Sequence, residues 1–560
     1  VEIFLSTSTP NINTGFLDFF IFIKFQEEMM ELINYRKYSL AVPALVALLL
    51  ALIPTLNYQW PLSWDIIYHV QYAKVYSQYG FTLTTPLLNA PVGQKIGYPP
   101  LFHFLLVGLG GMFQANYFQV ARWLQPVLAT LLVFSTSYVA FKFYGRLAGV
   151  STGFILVSSY LFKRMILPVP ENLALIFIPL AAYLYYLSIR DGKLKIAALS
   201  GLILILILGI HLAAALTLLL TVTGISIVEF VYYRDFTVFR NYGAFILALI
   251  VFISTALLSM LFLYPGVFES ILAQGITSAT GFATSLVSSR PLSIPGYLGN
   301  LGPFASVFGF LGLIWALQRR RKKDLFVITW IVGMLLLSVS YIIGVNVISY
   351  RVMIYLLIPL SILAGVGLQQ FYHYLKNYRR LSSEKFRCTF LVLLLLLATL
   401  SGFLTVINPD LAIFSVKSDY GDVQIAPPSD AELDLNRWIQ ENGNHSRSIL
   451  ISNQFTGMLL ATESGMPMHY GFEYYGLKSL PTATLDAMRN ESIGYIIYDK
   501  KLVLSPPDEN GLYIKSVYYE FFPLFYFSQD IEKNIDRIKP EYTQVVYENQ
   551  EFIVCQVLYT

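Results

Sequence analysis

Charge is scarce in this chain. Of its 560 residues 13% are Asp, Glu, Lys or Arg and 56% are hydrophobic, and the mean hydropathy is +0.59. A water-soluble chain of that length cannot cover so much apolar surface with so few charges, so most of it is expected in lipid. The formal net charge of +4 is too small to argue for a nucleic-acid partner. Cysteine is nearly absent. Cys388 opens an apolar run and Cys555 lies in a polar region far downstream, which leaves no disulfide framework and no zinc spacing. The sequence also lacks a phosphate-binding glycine loop, a dinucleotide fingerprint and a Gly-x-Ser-x-Gly elbow; GVGLQQ (365–370) is too short and lies inside an apolar run. ATP and nucleotide-sugar chemistry have no support here.

What the chain has in plenty is apolar length. Runs suited to crossing a bilayer fall near 39–57, 121–141, 147–162, 168–188, 194–209, 211–231, 242–264, 299–317, 325–344, 351–373 and 387–408. A further run, PPLFHFLLVGLGGMF (99–113), is short and broken by glycine. If it spans, the basic loops of the first half scatter over both faces. If it lies in the interface, Arg36/Lys37, Lys142/Arg146, Arg190/Lys193/Lys195, Arg234/Arg240, RRRKK (319–323) and 376–387 all share one face. The charge pattern therefore predicts about eleven spans in a multi-pass plasma-membrane protein, its N-terminus cytoplasmic and its C-terminus outside. Residues 1–38 become a cytoplasmic tail, of which 1–28 read either as a mis-called start before Met29/Met30 or as a tail.

From 409 onward the composition changes. APPSDAELDLNRWIQENG (426–443) reads as a linker, a Ser/Asp cap and an amphipathic helix. Residues 446–453, IGYIIYD (493–499) and a pair over 543–559, turning at Glu548–Asn549–Gln550, read as strands. The fold expected is an all-α polytopic membrane domain (39–408), with interfacial helices in a first outside loop (58–120), followed by a small extracytoplasmic α/β domain (409–560). Sequons at NHS (444–446) and NES (490–492) agree with an exported surface.

The polar residues left on the outer face are the candidates for chemistry. In SWDIIYHVQYAKVYSQYG (63–80), Asp65, Tyr68, His69, Tyr72 and Tyr76 share one helical stripe. A carboxylate beside aromatic rings at a membrane surface suits deprotonation of a hydroxyl or binding of a cation; the alternative is that Asp65 caps an amphipathic helix and the rings pack it. In NAPVGQKIGYPPLFHF (89–104), Lys95, Tyr98 and His103 surround a rigid Tyr-Pro-Pro turn before a helix start, a place that attracts phosphate or else a turn with a snorkelling lysine. Glu171 stands at the outer start of a span, where a carboxylate also favours the helix dipole. His211 interrupts an apolar run, and polar groups at that depth usually face a cavity. Lys163, Arg164, Arg290 and Arg351 run against the charge bias and suit an anionic partner; for Arg351 a lipid phosphate and a protein carboxylate are equal alternatives.

WDIIYHVQYAKVYSQYG (64–80), ending in GYPPLFHFLL (97–106), resembles the first outside loop of the GT-C superfamily of polytopic glycosyltransferases, which includes protein mannosyltransferases, aminoarabinose transferases and oligosaccharyltransferases. Residues 171–217 and YRVMIYLLIPLSILAGVGL (350–368) also resemble its middle and late spans. The resemblance implies transfer of a sugar from a polyprenyl (dolichyl) phosphate carrier to an extracytoplasmic protein, glycan or lipid acceptor. It maps an acidic residue of that loop onto Asp65 as general base or acceptor-binding group, with Glu171 the second catalytic candidate. Lys95 maps near the lipid phosphate, and Arg351 onto a basic residue at the start of a late span. His69, Tyr98, His103, Arg164, His211 and Arg290 complete the expected substrate-binding set. It names no certain cofactor and leaves a divalent metal open.

Oligosaccharyltransferases carry Trp-Trp-Asp-Tyr-Gly in the outside domain, where ISNQFTGMLL (451–460) stands here. That departure argues for transfer of a single sugar over an oligosaccharide. An oligosaccharyltransferase-like enzyme and a lipid-glycan flippase are the competing readings; the flippase is disfavoured because no repeated halves with paired broken spans are seen.

Overall fold

Every apolar run expected to cross the membrane is helical in the computed structural model, which describes residues 39–263, 265, 292–343, 349–377, 383–408, 415–418, 421–424, 427–478, 482–504, 513–519 and 522–559. The first helix is α1 (Ala41–Asn57), followed in the first loop by α2 (Asp65–Tyr79), a two-residue ladder of β1 (Thr84–Thr85) with β2 (Gln94–Lys95), and α3 (Leu101–Phe113). Then come α4 (Tyr117–Tyr144), α5 (Arg146–Ser158), the one-turn α6 (Phe162–Met165), α7 (Pro170–Asp191), α8 (Leu194–Ile210), α9 (Leu212–Tyr233) and α10 (Thr237–Leu263). The set closes with α11 (Ile294–Leu301), α12 (Pro303–Arg319), α13 (Lys322–Ser338), α14 (Ser349–Tyr374) and α15 (Glu384–Ile407).

Six of these helices, α4, α7, α9, α10, α14 and α15, are long and apolar enough to span a bilayer alone, and α11 with α12 forms a seventh candidate bent by 106°. The bend falls at Gly302, whose φ of 81° is open to glycine at no steric cost. Four further apolar helices, α1 and α8 of 17 residues and α3 and α5 of 13, are shorter than a ~30 Å hydrocarbon core at 1.5 Å per residue, so length does not set α3 apart from three of the runs expected to span.

Helix α14 is the axis of the membrane domain. It carries Gly365 and Gly367 on faces that meet α5 and α12, and a methyl group added at Gly367 or at Gly312 of α12 would strike the partner's backbone. In lipid, where no hydrophobic drive brings helices together, such close backbone approach supplies the packing energy.

Beyond α15 a four-stranded sheet runs in the order β5 (Ser448–Ile451), β6 (Ile493–Asp499), β10 (Phe552–Val557), β9 (Thr543–Glu548). The β5–β6 pair is parallel and the other two are antiparallel. Hairpins β3–β4 (Ser415–Ser418, Gly421–Gln424) and β7–β8 (Tyr513–Tyr519, Phe522–Phe527) form ladders of their own, β8 meeting the end of β5 where the Phe525 N–H donates to the Ser452 carbonyl at 2.9 Å; the sequence pattern did not lead to either. Helix α16 (Asp430–Asn442) starts where the Ser/Asp cap was expected, with Ser429 and Glu432 closing a reciprocal capping box. The remaining helices are α17 (Gln454–Ser464), α18 (Phe472–Tyr475), α19 (Leu485–Asn490) and α20 (Ile531–Ile538).

This domain sits on the first loop. Lys74 Nζ of α2 donates to the carbonyls of Thr462 (2.6 Å) and Glu463 (2.9 Å) at the end of α17, and Gln71 Nε2 donates to Thr462 Oγ1. Trp64 meets Phe455 edge to face, and Met468 forms a parallel bridge to Leu88. The helix that begins with Asp65 is thereby held from both sides.

Candidate active site

The chain enters α2 through a strained residue. Ser63 has φ 81°, a left-handed conformation that costs a side-chain-bearing residue about 1–3 kcal/mol, and its Oγ accepts the Asp65 N–H at 3.2 Å. Trp64 occupies the N-cap position, so Asp65 is the first helical residue and not the cap. The capping alternative for Asp65 is thus corrected: the turn is already closed by Ser63, and Asp65 lines a cavity of about 140 Å³.

Besides Tyr98 from the loop before α3, three other chain segments converge on that cavity. The link from α6 to α7 brings Arg164 and Glu171, the break between α8 and α9 brings His211, and the first turn of α14 brings Tyr350 and Arg351. Asn172 Nδ2 fixes the link by donating to the carbonyls of Arg164 and Leu167, both at 2.7 Å. Arg164 Nη2 pairs with Glu171 Oε2 at 2.8 Å, its guanidinium lying 5.5 Å from the Tyr350 ring, and Tyr355 Oη donates to Glu171 Oε1 at 2.9 Å. Burial disfavours the Arg164 charge, but the Glu171 carboxylate more than offsets it and the guanidinium pKa moves up. Both Glu171 oxygens are therefore engaged. His211 breaks the helix with extended backbone (φ −156°, ψ 115°), and its Nδ1 caps α9 by accepting the Ala214 N–H at 3.2 Å.

On the opposite wall His69 and Tyr98 meet edge to face at 4.8 Å, and behind them His69 Nδ1 lies 3.1 Å from His103 Nε2. Both imidazoles are buried. Burial, reinforced by His103 and then His211, holds His69 well below the usual histidine range, and burial alone takes His103 to about 3. Two neutral rings sharing one hydrogen bond position the wall; neither carries charge near neutral pH.

Of the ten residues singled out from the sequence, Asp65, His69, Tyr98, Arg164, Glu171, His211 and Arg351 line one cavity, and His103 supports it from behind. Lys95 does not join them. It ends β2 as an exposed residue, because the ladder with Thr84 turns it away from the cavity. Arg290 lies outside the described residues. Tyr350 and Tyr355 were missed, although Tyr355 follows Arg351 by one helical turn and so shares its face. Among the described residues no three His, Cys, Asp or Glu side chains converge as a metal site.

No family model matches the sequence, and no curated protein matches it significantly. Solved structures do. The Archaeoglobus fulgidus oligosaccharyltransferase superposes with a TM-score of 0.60 at 14% identity, over 84% of this chain and 70% of that one. ArnT from Cupriavidus metallidurans gives 0.58 at 13%, covering 92% and 97%. The mycobacterial arabinofuranosyltransferase AftD gives 0.56 at 14%, over 93% of this chain but 40% of its own. The fold is that of the GT-C glycosyltransferases.

Asn453, Gln454 and Phe455, the residues that the sequence comparison sets against Trp-Trp-Asp, make contacts within the protein. Asn453 is buried at the end of β5, its Oδ1 accepting the Thr456 N–H to cap α17 and its Nδ2 donating to Asp499 Oδ2 at 2.8 Å. Gln454 Nε2 donates to the Tyr470 carbonyl, and Phe455 packs on Trp64.

Proposed function

We propose that this protein is a membrane glycosyltransferase that moves a sugar from a polyprenyl-phosphate carrier to a hydroxyl-bearing acceptor on the face covered by the C-terminal domain. The observation that carries this reading is that a carboxylate, Asp65, and two arginines, Arg351 and Arg164, line one cavity. Two structural neighbours hold carriers of this kind: ArnT is bound to undecaprenyl phosphate, and the Archaeoglobus fulgidus enzyme AglB is in complex with dolichol-phosphate and an inhibitory peptide.

The chemistry follows from the charges. The acceptor oxygen attacks the anomeric carbon while its proton passes to Asp65, and the bond from that carbon to the phosphate oxygen breaks with its electron pair going to the phosphate. Arg351 neutralises the charge that develops on the departing polyprenyl phosphate. Arg164 is already tied to Glu171, so it contributes field more than a free contact, and Glu171 serves as counter-ion rather than base. Beside α14 an apolar groove of about 560 Å³, whose walls include Leu356 and Leu360 one to three turns below Arg351, suits the prenyl chain. The spent Asn453 position supports transfer of a single sugar over an oligosaccharide.

The test is to incubate purified protein with radiolabelled polyprenyl-phosphate sugar and a membrane extract as acceptor source. Consumption of the carrier by the wild type and not by Asp65→Asn supports transfer. Movement of intact carrier across vesicles without turnover would make the protein a flippase and end the enzymatic reading.

A further inference from the structure

Two imidazoles line the cavity, and each has its Nδ1 engaged, but only at His211 does the engagement place the proton. The partner of His69 is His103 Nε2, and either nitrogen of that pair can be the donor. The partner of His211 is a backbone N–H, which donates and never accepts. Nδ1 takes the Ala214 N–H at 3.2 Å, so it presents a lone pair and carries no proton. A proton on Nδ1 would set one donor against another and orphan an N–H in the first turn of α9. Tyr355 Oη, at 3.5 Å, stands at the limit of a hydrogen bond and gives such a proton little in return. His211 is therefore a neutral imidazole protonated on Nε2.

The ring is held as firmly as its proton. The His211 N–H donates to the Ile207 carbonyl at 2.7 Å, closing α8, and its carbonyl accepts the Ala215 N–H at 3.2 Å, opening α9. With Nδ1 bonded as well, the residue is fixed at three points. The nitrogen left over is Nε2, which has no hydrogen-bond partner among the described residues.

Its surroundings say what that N–H meets. The ring lies against Tyr355 of α14, the residue before Leu356 in the groove suited to the prenyl chain, whereas Asp65 lines the cavity from α2. A carrier laid from that groove to Asp65 presents its chain, then its phosphate, then its sugar. The part that comes to His211 is the phosphate. We infer that His211 holds the carrier phosphate as an uncharged donor, its Nε2–H bonding a phosphate oxygen; this rests on the reading of the protein as a polyprenyl-phosphate-dependent transferase. Such a donor adds no cation to a cavity that Arg164 and Arg351 already line. With its basic nitrogen committed to α9, the ring takes no proton from the acceptor hydroxyl and leaves that to Asp65.

Two substitutions separate the ring's two nitrogens. Asn sets its amide near the place of Nδ1, so His211→Asn keeps an oxygen able to cap α9 and removes the outer donor. Gln reaches as far as Nε2, so His211→Gln keeps an N–H there and gives up the cap. In native mass spectrometry of the delipidated full chain, Asn should bind undecaprenyl phosphate at least about tenfold more weakly than wild type, the scale of a hydrogen bond to a charged group. It should melt close to wild type in detergent. Gln should melt lower yet bind within about threefold of wild type. Nitrogen NMR of the wild type with isotope-labelled histidine, assigned by the signals lost in either variant, should show a bare Nδ1 and a protonated Nε2 on His211. A proton on Nδ1 overturns the inference. So does an Asn variant that binds undecaprenyl phosphate as the wild type does, which would leave His211 a helix cap alone. Should Asn fail to fold, the wild type decides: its Nε2 resonance must move when undecaprenyl phosphate is added, and an unmoved resonance overturns the inference as well. A wild type that binds no undecaprenyl phosphate fails the carrier reading itself, a result distinct from normal binding with an indifferent Asn variant.

Discussion

Replacing Asp65 with Asn separates a base from a structural residue, because the two roles predict effects of different size. As the first residue of α2, with its N–H already bonded to Ser63 Oγ, Asp65 places a negative charge at the positive end of the helix dipole. That contribution is worth about 0.3–1 kcal/mol at a surface site, and Asn keeps the size and most of the hydrogen-bonding capacity of the side chain, so Asp65→Asn should leave a folded protein. A general base contributes about a hundredfold or more to rate, which corresponds to about 2.7 kcal/mol of barrier. The expected variant is thus a protein that elutes as a single species, melts within a few degrees of wild type and binds undecaprenyl phosphate normally, yet consumes labelled polyprenyl-phosphate sugar at least about a hundredfold more slowly. Single-turnover measurement is the right assay, since it excludes product release. His69→Ala should be milder: its neutral ring sits in the wall against His103 and Tyr98 and gives up no proton. If Asp65→Asn turns over the carrier within threefold of wild type, the base assignment is wrong and so is the mechanism built on it.

Glu171→Gln leaves Arg164 in a largely buried setting without its counter-charge; with Arg164 23% and Glu171 8% exposed, the loss should be about 3 kcal/mol, seen as a lowered melting temperature in detergent. An unshifted melting temperature with abolished transfer would instead make Glu171 the base. Arg351→Ala should weaken undecaprenyl phosphate binding at least about tenfold, the worth of a hydrogen bond to a charged group, and unaltered affinity would return Arg351 to a structural role. In the C-terminal domain, burial pushes the Glu432 carboxyl from 4.5 up to about 7, against the opposing bond from Thr456. A raised carboxyl pKa stabilises the fold in its protonated form, so this contribution is fully present below about pH 4.5 and falls away as pH rises to about 7, a swing of about 3 kcal/mol. Glu432→Gln should flatten the pH dependence of that domain's unfolding between those values; a profile identical to wild type would show that Glu432 is ionised at little cost.

Much of the architecture could be read from periodicity alone. The eleven apolar runs are helical over most of their length, the one at 299–317 being bent at Gly302, and the strands at 446–453, 493–499 and 543–559 appear as β5, β6, β9 and β10. The stripe from Asp65 to Tyr76 is a helix face, and the cap at Ser429 is where the Ser/Asp signal placed it. These features depend on residues within one or two turns of each other, so the backbone's own repeat carries them. The β7–β8 hairpin was not legible for a related reason: FPLFYF is apolar at nearly every position and shows no alternation to mark a strand.

What the tertiary structure decided is which of these faces meet. That Glu171 spends its two oxygens on Arg164, seven residues before it, and on Tyr355, 184 residues after it, follows from how α7 and α14 are rotated against each other. The same holds for Lys74 reaching the end of α17 across 388 residues, and for Lys95 turning away while Arg164 turns inward. Helix rotation and crossing are settled by close backbone approaches such as Gly312 against α14, which local composition does not encode. The sequence by itself determined the elements and the residue types available for chemistry; the packing of α2, α7 and α14 determined that a carboxylate and two arginines would line one small cavity, because only packing brings distant charges within reach of one another.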